Sequence, residues 1–99
     1  QEIRERDLMA RAGELGERLM AGLRALGDER VVEVRGRGLM VGMELSVPVA
    51  PLVSALLEEG VVTTSGGSHT VRFLPPLVIE ERQVDEVVRR VQRALAGLA

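Results

Sequence analysis

The sequence has no cysteine, no tryptophan and no tyrosine, a single phenylalanine, and 13 basic residues that are all arginine. Each absence removes a class of chemistry. Without cysteine there is no disulfide, no thiolate nucleophile and no thiolate-bound metal. Without lysine there is no ε-amino group to condense with a carbonyl compound. The single histidine, His69, has no second histidine or cysteine to share a metal with. No apolar run approaches the roughly 20 residues of a membrane span. The opening Gln1-Glu2-Ile3-Arg4-Glu5 lacks the apolar stretch of a signal peptide. A cytoplasmic protein without a membrane partner is therefore expected. The net charge of −2 is spread along the chain without a basic block, which argues against a nucleic-acid partner.

What is present suits one small globular domain. A chain of 99 residues buries about 60–70% of its unfolded surface. With one aromatic residue, its core has to be built from Val, Leu, Met and Ala.

Residues 2–27 read as a long helix. Leu8, Ala12, Leu15, Leu19 and Leu26 form an apolar stripe that Leu23 widens. Gly13, Gly16 and Gly22 weaken that helix and make sense where another backbone packs close or the helix bends. At 1.5 Å per residue the helix is about 40 Å long, which suggests that it lies along a further structure.

Residues 31–35 and 39–45 read as strands. The second alternates Leu39, Val41, Met43 and Leu45 against Met40, Gly42 and Glu44. Gly36-Arg37-Gly38 between them predicts positive φ values in a tight turn or bulge. Pro48 and Pro51 open a helix of about ten residues, with Val53, Leu56 and Leu57 as its buried side and Gly60 as its stop. Residues 61–64 and 70–74 are two more strands, separated by the loop Ser65-Gly66-Gly67-Ser68-His69. Pro75-Pro76 ends the last strand. A helix over residues 81–96 carries Val84, Val87, Val88, Val91 and Leu95 on one face. The fold class expected is α+β: a small, mostly antiparallel sheet of three to four strands with helices packed on it.

Few residues could carry chemistry. His69 reads as a solvated loop residue. Ser65 and Ser68 lie near it, but no carboxylate is placed to complete a triad. Ser65-Gly66-Gly67-Ser68 could cradle a phosphate on backbone N–H groups, yet it leads into a strand rather than a helix N-terminus. Gly36-Arg37-Gly38 is too short for a dinucleotide fingerprint. Arg72 is the informative residue. In Val71-Arg72-Phe73 the alternation sends Val71 and Phe73 to one face and Arg72 to the other. From the pattern alone, Arg72 is either a solvated rim arginine or a guanidinium held on a rigid strand to grip a carboxylate in a bidentate fork.

Three stretches carry a resemblance. Val34-Arg35-Gly36-Arg37-Gly38-Leu39-Met40-Val41-Gly42-Met43-Glu44-Leu45 resembles the segment after the long helix of class III aminotransferases. Leu56-Leu57-Glu58-Glu59-Gly60-Val61 is similar to their next helix and strand. Val71-Arg72-Phe73-Leu74-Pro75-Pro76-Leu77-Val78-Ile79 resembles their C-terminal signature and is the most specific of the three. The pattern resembles that of the acetylornithine-type enzymes and their lysine-biosynthesis counterparts, and more loosely that of ornithine and 4-aminobutyrate aminotransferases.

The resemblance implies that residues 1–99 are a C-terminal small domain whose large, cofactor-binding domain is absent from the chain. It implies a pyridoxal-phosphate-dependent parent that moves an amino group to 2-oxoglutarate in arginine or lysine biosynthesis. The cofactor and its lysine would lie in the large domain, so that the 99 residues alone are inactive and bind no pyridoxal phosphate. The implied partners are that large domain, a second subunit of a homodimer, and small amino and oxo acids. The arginine matching Arg72 faces the active site in that family, against a substrate α-carboxylate or a large-domain glutamate. Gly36, Gly38, Pro75 and Pro76 are expected to be structural. The alternative is a non-catalytic α+β module that binds amino acids or regulates.

Overall fold

Alternation along one strand decides which way the sheet faces. In β2 (Met40–Leu45), Val41, Met43 and Leu45 are buried to 2% exposure or less, whereas Met40 is 66% exposed. The chain is known from a computed structural model that describes residues 5–37, 40–73 and 80–98, without the side chains of residues 5–9 and 37. Among the described residues the order is α1 (Glu5–Arg24), β1 (Val31–Arg37), β2, α2 (Ala50–Glu58), β3 (Thr63–Ser65), β4 (Thr70–Phe73) and α3 (Glu81–Ala96). The four strands form one antiparallel sheet in the order β1-β2-β4-β3. This is the expected α+β arrangement.

The inward residues Val34, Val41, Met43, Leu45, Val71 and Phe73 join one apolar core with the helices. From α1 come Ala12, Leu15, Leu19 and Leu23, and from α3 Val84, Val91 and Leu95. No charged or polar residue is buried among the described residues. The N-terminal stripe, from Ala12 onward, is covered by this chain's own α3 and β1. Leu8 falls outside the described side chains.

Four local readings are corrected. Helix α1 ends at Arg24 rather than at residue 27. On α2 the buried leucines are Leu52 and Leu56, while Leu57 is 61% exposed. The stripe is rotated because α3 and β3, which α2 packs against, meet the 52–56 edge. β3 begins at Thr63, because the Val61 N–H still donates to Leu56 O at 2.8 Å in the turn that leaves α2. Gly60 within that turn has φ +84, the left-handed region where glycine is favoured.

Gly36 is the fourth. It is not a turn residue with positive φ but part of β1, paired with Val41. A Cβ there would lie 2.5 Å from Met40 O and 3.0 Å from Val41 Cα, so close backbone approach is what requires glycine. Gly38 and residues 74–79, including Pro75 and Pro76, lie outside the described residues. In α1 close packing accounts for Gly22, whose Cβ would meet Val88 Cγ2 at 2.7 Å, whereas Gly13 faces open space.

Side-chain hydrogen bonds close the layer of helices. Gln83 Oε1 accepts the Glu80 N–H at 2.7 Å at the start of α3. At its other end, Arg30 donates at 2.8 Å to Leu95 O, which also accepts the Leu98 N–H at 3.1 Å, and at 3.1 Å to Leu98 O just beyond the helix. Asp28 holds Arg30 in place through Oδ2 at 2.8 Å and Oδ1 at 3.0 Å. The Arg30 guanidinium keeps the Asp28 carboxyl below its ordinary value of 3.8.

A depressed folded-state pKa gives stability that is present above the unfolded value and lost as pH falls through the folded one. Asp28→Asn is therefore expected to lower stability at neutral pH by on the order of 1 kcal/mol, since the pair is largely but not fully sheltered. The variant should also lose less than the native chain between about pH 5 and pH 3. Denaturant midpoints at the two pH values test this. Parallel losses in both proteins would place the acid sensitivity elsewhere.

Candidate functional site

The helices cover one face of the sheet; the other carries the candidate site. Across the strands, pairing sets Arg35 beside Gly42, Gly42 beside Arg72, and Arg72 beside Thr64. All four belong to the set opposite the core, so they form a row on the uncovered face. With neighbouring strands about 4.8 Å apart, the Arg35 and Arg72 backbones stand about 10 Å from each other. Gly42 between them has no side chain. A cleft of about 620 Å³ opens there, lined by Arg35, Gly42, Gly66, Thr70 and Arg72 among others.

The two arginines differ in what they have to bind. Arg35 donates to Glu33 Oε1 at 3.0 Å and to Glu44 Oε1 at 3.2 Å. Its charge is balanced within the sheet. The Arg72 side chain has no carboxylate and no other hydrogen-bond partner among the described residues. Its strand is rigidly placed, because Val71 and Phe73 on either side are buried to 0% and 2% exposure. Arg72 is therefore an exposed cation on a fixed strand at the rim of a cleft. Five N–H donors in a planar fork match a carboxylate with two parallel hydrogen bonds.

The remaining sequence candidates are not brought into this site as chemistry. His69 is exposed, with Nδ1 2.7 Å from Ser68 Oγ. Among the described residues no carboxylate hydrogen-bonds the ring to orient it. The loop does not present a row of free N–H groups either, since Gly66 N–H donates to Thr70 O at 2.7 Å and closes the hairpin. Among the described residues no group of His, Asp or Glu is clustered to hold a metal, and no helix is long and apolar enough to cross a membrane. Sequence reasoning missed two features: the pairing of Arg35 with Glu33 and Glu44, and the place of Gly66 against Arg72. The two-residue spacing of Glu33 and Arg35 in a strand was a signal for the first.

Among the described residues an open antiparallel sheet carries helices on one face and, on the other, the Arg72 guanidinium at a cleft, which defines an α+β domain. Comparison with known proteins gives the family. The class-III aminotransferase family matches residues 1–95, and the chain belongs to it. It is 39% identical over 92 residues to the acetylornithine aminotransferase of Methanosarcina acetivorans, covering 93% of this chain and 23% of that protein. It is 40% identical over 94 residues to the LysW-aminoadipate semialdehyde transaminase of Deinococcus radiodurans, covering 94% of the chain and 22% of that protein. The solved structure of Plasmodium falciparum ornithine delta-aminotransferase superposes with a TM-score of 0.83 at 30% identity, over 92% of this chain and 25% of that one. The chain thus spans about a quarter of the length of the relatives it matches.

Proposed function

We propose that these 99 residues are the small domain of a pyridoxal-phosphate-dependent aminotransferase of the acetylornithine and ornithine type. The reaction is transfer of an amino group from an ω-amino donor to 2-oxoglutarate, in arginine or lysine biosynthesis. The observation that carries this reading is Arg72: an exposed guanidinium at the rim of a cleft, without a carboxylate partner among the described residues, on a strand anchored by buried Val71 and Phe73. The names of relatives such as ornithine and acetylornithine aminotransferase support a substrate with an α-carboxylate for that guanidinium to receive.

The residues present do not fit the cofactor by themselves. There is no lysine in the chain, and the one glycine-rich loop uses the Gly66 N–H within its own hairpin. The cofactor is accordingly assigned to the large domain of the parent, where it supplies the electron sink of the reaction. What this chain contributes is a carboxylate grip and a cover for the cleft, so alone it is inactive. Its partners on this reading are its own large domain, the second subunit of a homodimer, and the amino and oxo acids themselves, in the cytoplasm.

Borohydride reduction of the cofactor-loaded, full-length parent, followed by peptide mapping, tests the division of labour. The pyridoxyl group is expected on a lysine outside residues 1–99, in a protein that aminates 2-oxoglutarate. A side-chain adduct within these residues, or a parent that takes up no cofactor, would refute the proposal.

A further inference from the structure

The turn between β3 and β4 holds two glycines, and they are glycine for different reasons. Gly67 has φ +103, a conformation that side chains rarely adopt. Gly66 has no such φ, so its backbone would accept alanine. What occupies the space of a side chain at position 66 is Arg72. A Cβ built there would lie 2.5 Å from Arg72 Nε, 3.0 Å from Cζ and 3.2 Å from Cδ. Three successive atoms at the end of the Arg72 side chain therefore rest on the bare Gly66 backbone. That backbone is held by the 2.7 Å bond from Gly66 N–H to Thr70 O. On the opposite side, a Cβ at Gly42 would meet only Thr70 Cγ2 at 3.8 Å and Arg35 O at 3.9 Å. Arg72 thus leans over the hairpin turn and leaves the floor at Gly42 open.

We propose that Gly66 is a positioning residue: its missing side chain is the shelf that sets the direction in which the Arg72 fork faces the cleft. This rests on the reading of Arg72 as a carboxylate grip. A methyl group at position 66 meets the far end of a flexible side chain rather than backbone, so the fold yields by moving Arg72 and not by opening the hairpin. Two parallel hydrogen bonds to a carboxylate tolerate little rotation of the guanidinium. A displacement of about 1 Å in a positioning group costs up to about a hundredfold.

The experiment is a double-mutant cycle of Gly66→Ala and Arg72→Ala in the full-length, cofactor-loaded parent. It reads KM and kcat for 2-oxoglutarate, kcat/KM for an amine without an α-carboxylate, the thermal midpoint, and calorimetric binding of glutarate, an unreactive dicarboxylate. Gly66→Ala is expected to raise KM for 2-oxoglutarate and weaken glutarate by about ten- to a hundredfold. The kcat/KM of the carboxylate-free amine and the thermal midpoint should stay near those of the native enzyme. Once Arg72 is alanine, Gly66→Ala should add less than about twofold, because the two residues act as one unit.

A selective loss in Arg72→Ala with none in Gly66→Ala, or losses that simply multiply, overturns the positioning role and leaves the grip standing. Absence of a selective loss in Arg72→Ala overturns the grip itself, and this inference with it. A drop in thermal midpoint that persists in the double variant would make Gly66 a structural residue of the turn and also overturn the proposal; relief of that drop by Arg72→Ala would support it.

Discussion

Arg72→Ala in the full-length parent is expected to lower kcat/KM for 2-oxoglutarate by about ten- to a thousandfold, with little change for an amine that lacks an α-carboxylate. The magnitude follows from the bonds at stake. A hydrogen bond to a charged group contributes about 1.5–3 kcal/mol, and each 1.4 kcal/mol is about tenfold. The lower end applies if water replaces the fork easily at this exposed rim. The upper end applies if the cleft is closed over by the rest of the parent when substrate is bound, because desolvation strengthens such bonds. Arg72→Lys should recover only part of the loss, since an ammonium keeps the charge but lacks the planar pair of donors.

The pattern across substrates decides the role. Equal loss for both substrates means that Arg72 serves folding or domain closure. No loss for either makes it a rim arginine, where substitution changes stability by less than about 0.5 kcal/mol.

The neighbouring residue gives the largest expected effect on the fold. Phe73 is the only aromatic side chain and is 2% exposed. It lies in β4 between Val41 of β2 and Thr63 of β3. Truncating a buried phenylalanine costs about 3–5 kcal/mol. The whole stability of a domain this size is about 5–15 kcal/mol. Phe73→Ala is therefore expected to lower the melting temperature by about 12 °C or more, at 4–8 °C per kcal/mol, or to leave the chain unfolded. Leu57→Ala on the exposed side of α2 should stay within about 0.5 kcal/mol of the native chain. Denaturant unfolding of the two variants side by side checks both. A similar cost at positions 57 and 73 would contradict the burial described for α2 and β4.

Much of the framework was legible in the residues because it is local. The Val84, Val91 and Leu95 face of α3 and the inward Val41, Met43 and Leu45 of β2 follow from periodicities of 3.6 and 2. The buried face of α2 was not legible. A helix of nine residues has two adjacent apolar stripes, and only its packing on α3 and β3 selects Leu52 and Leu56 over Leu57. Gly36 looked like a turn because glycine serves both turns and close approaches; its Cβ direction became visible only with Met40 O set against it. The Arg30 cap on Leu95 O joins residues 65 apart in the chain, and no local pattern announces such a contact.

The sequence by itself determined the α+β order of elements, the exclusion of thiol and lysine ε-amino chemistry from this chain, and the face of the sheet on which Arg72 stands. Each depends on residue type or on alternation along one strand. Tertiary structure alone decided what surrounds Arg72: Gly42 and Thr64 beside it, Gly66 beneath it, and the carboxylates of Glu33 and Glu44 taken by Arg35. Those neighbours come from other strands and from a turn. Their register is set by burial of the opposite face, so a slip of one residue would have turned Arg72 into the core and Phe73 out to the cleft.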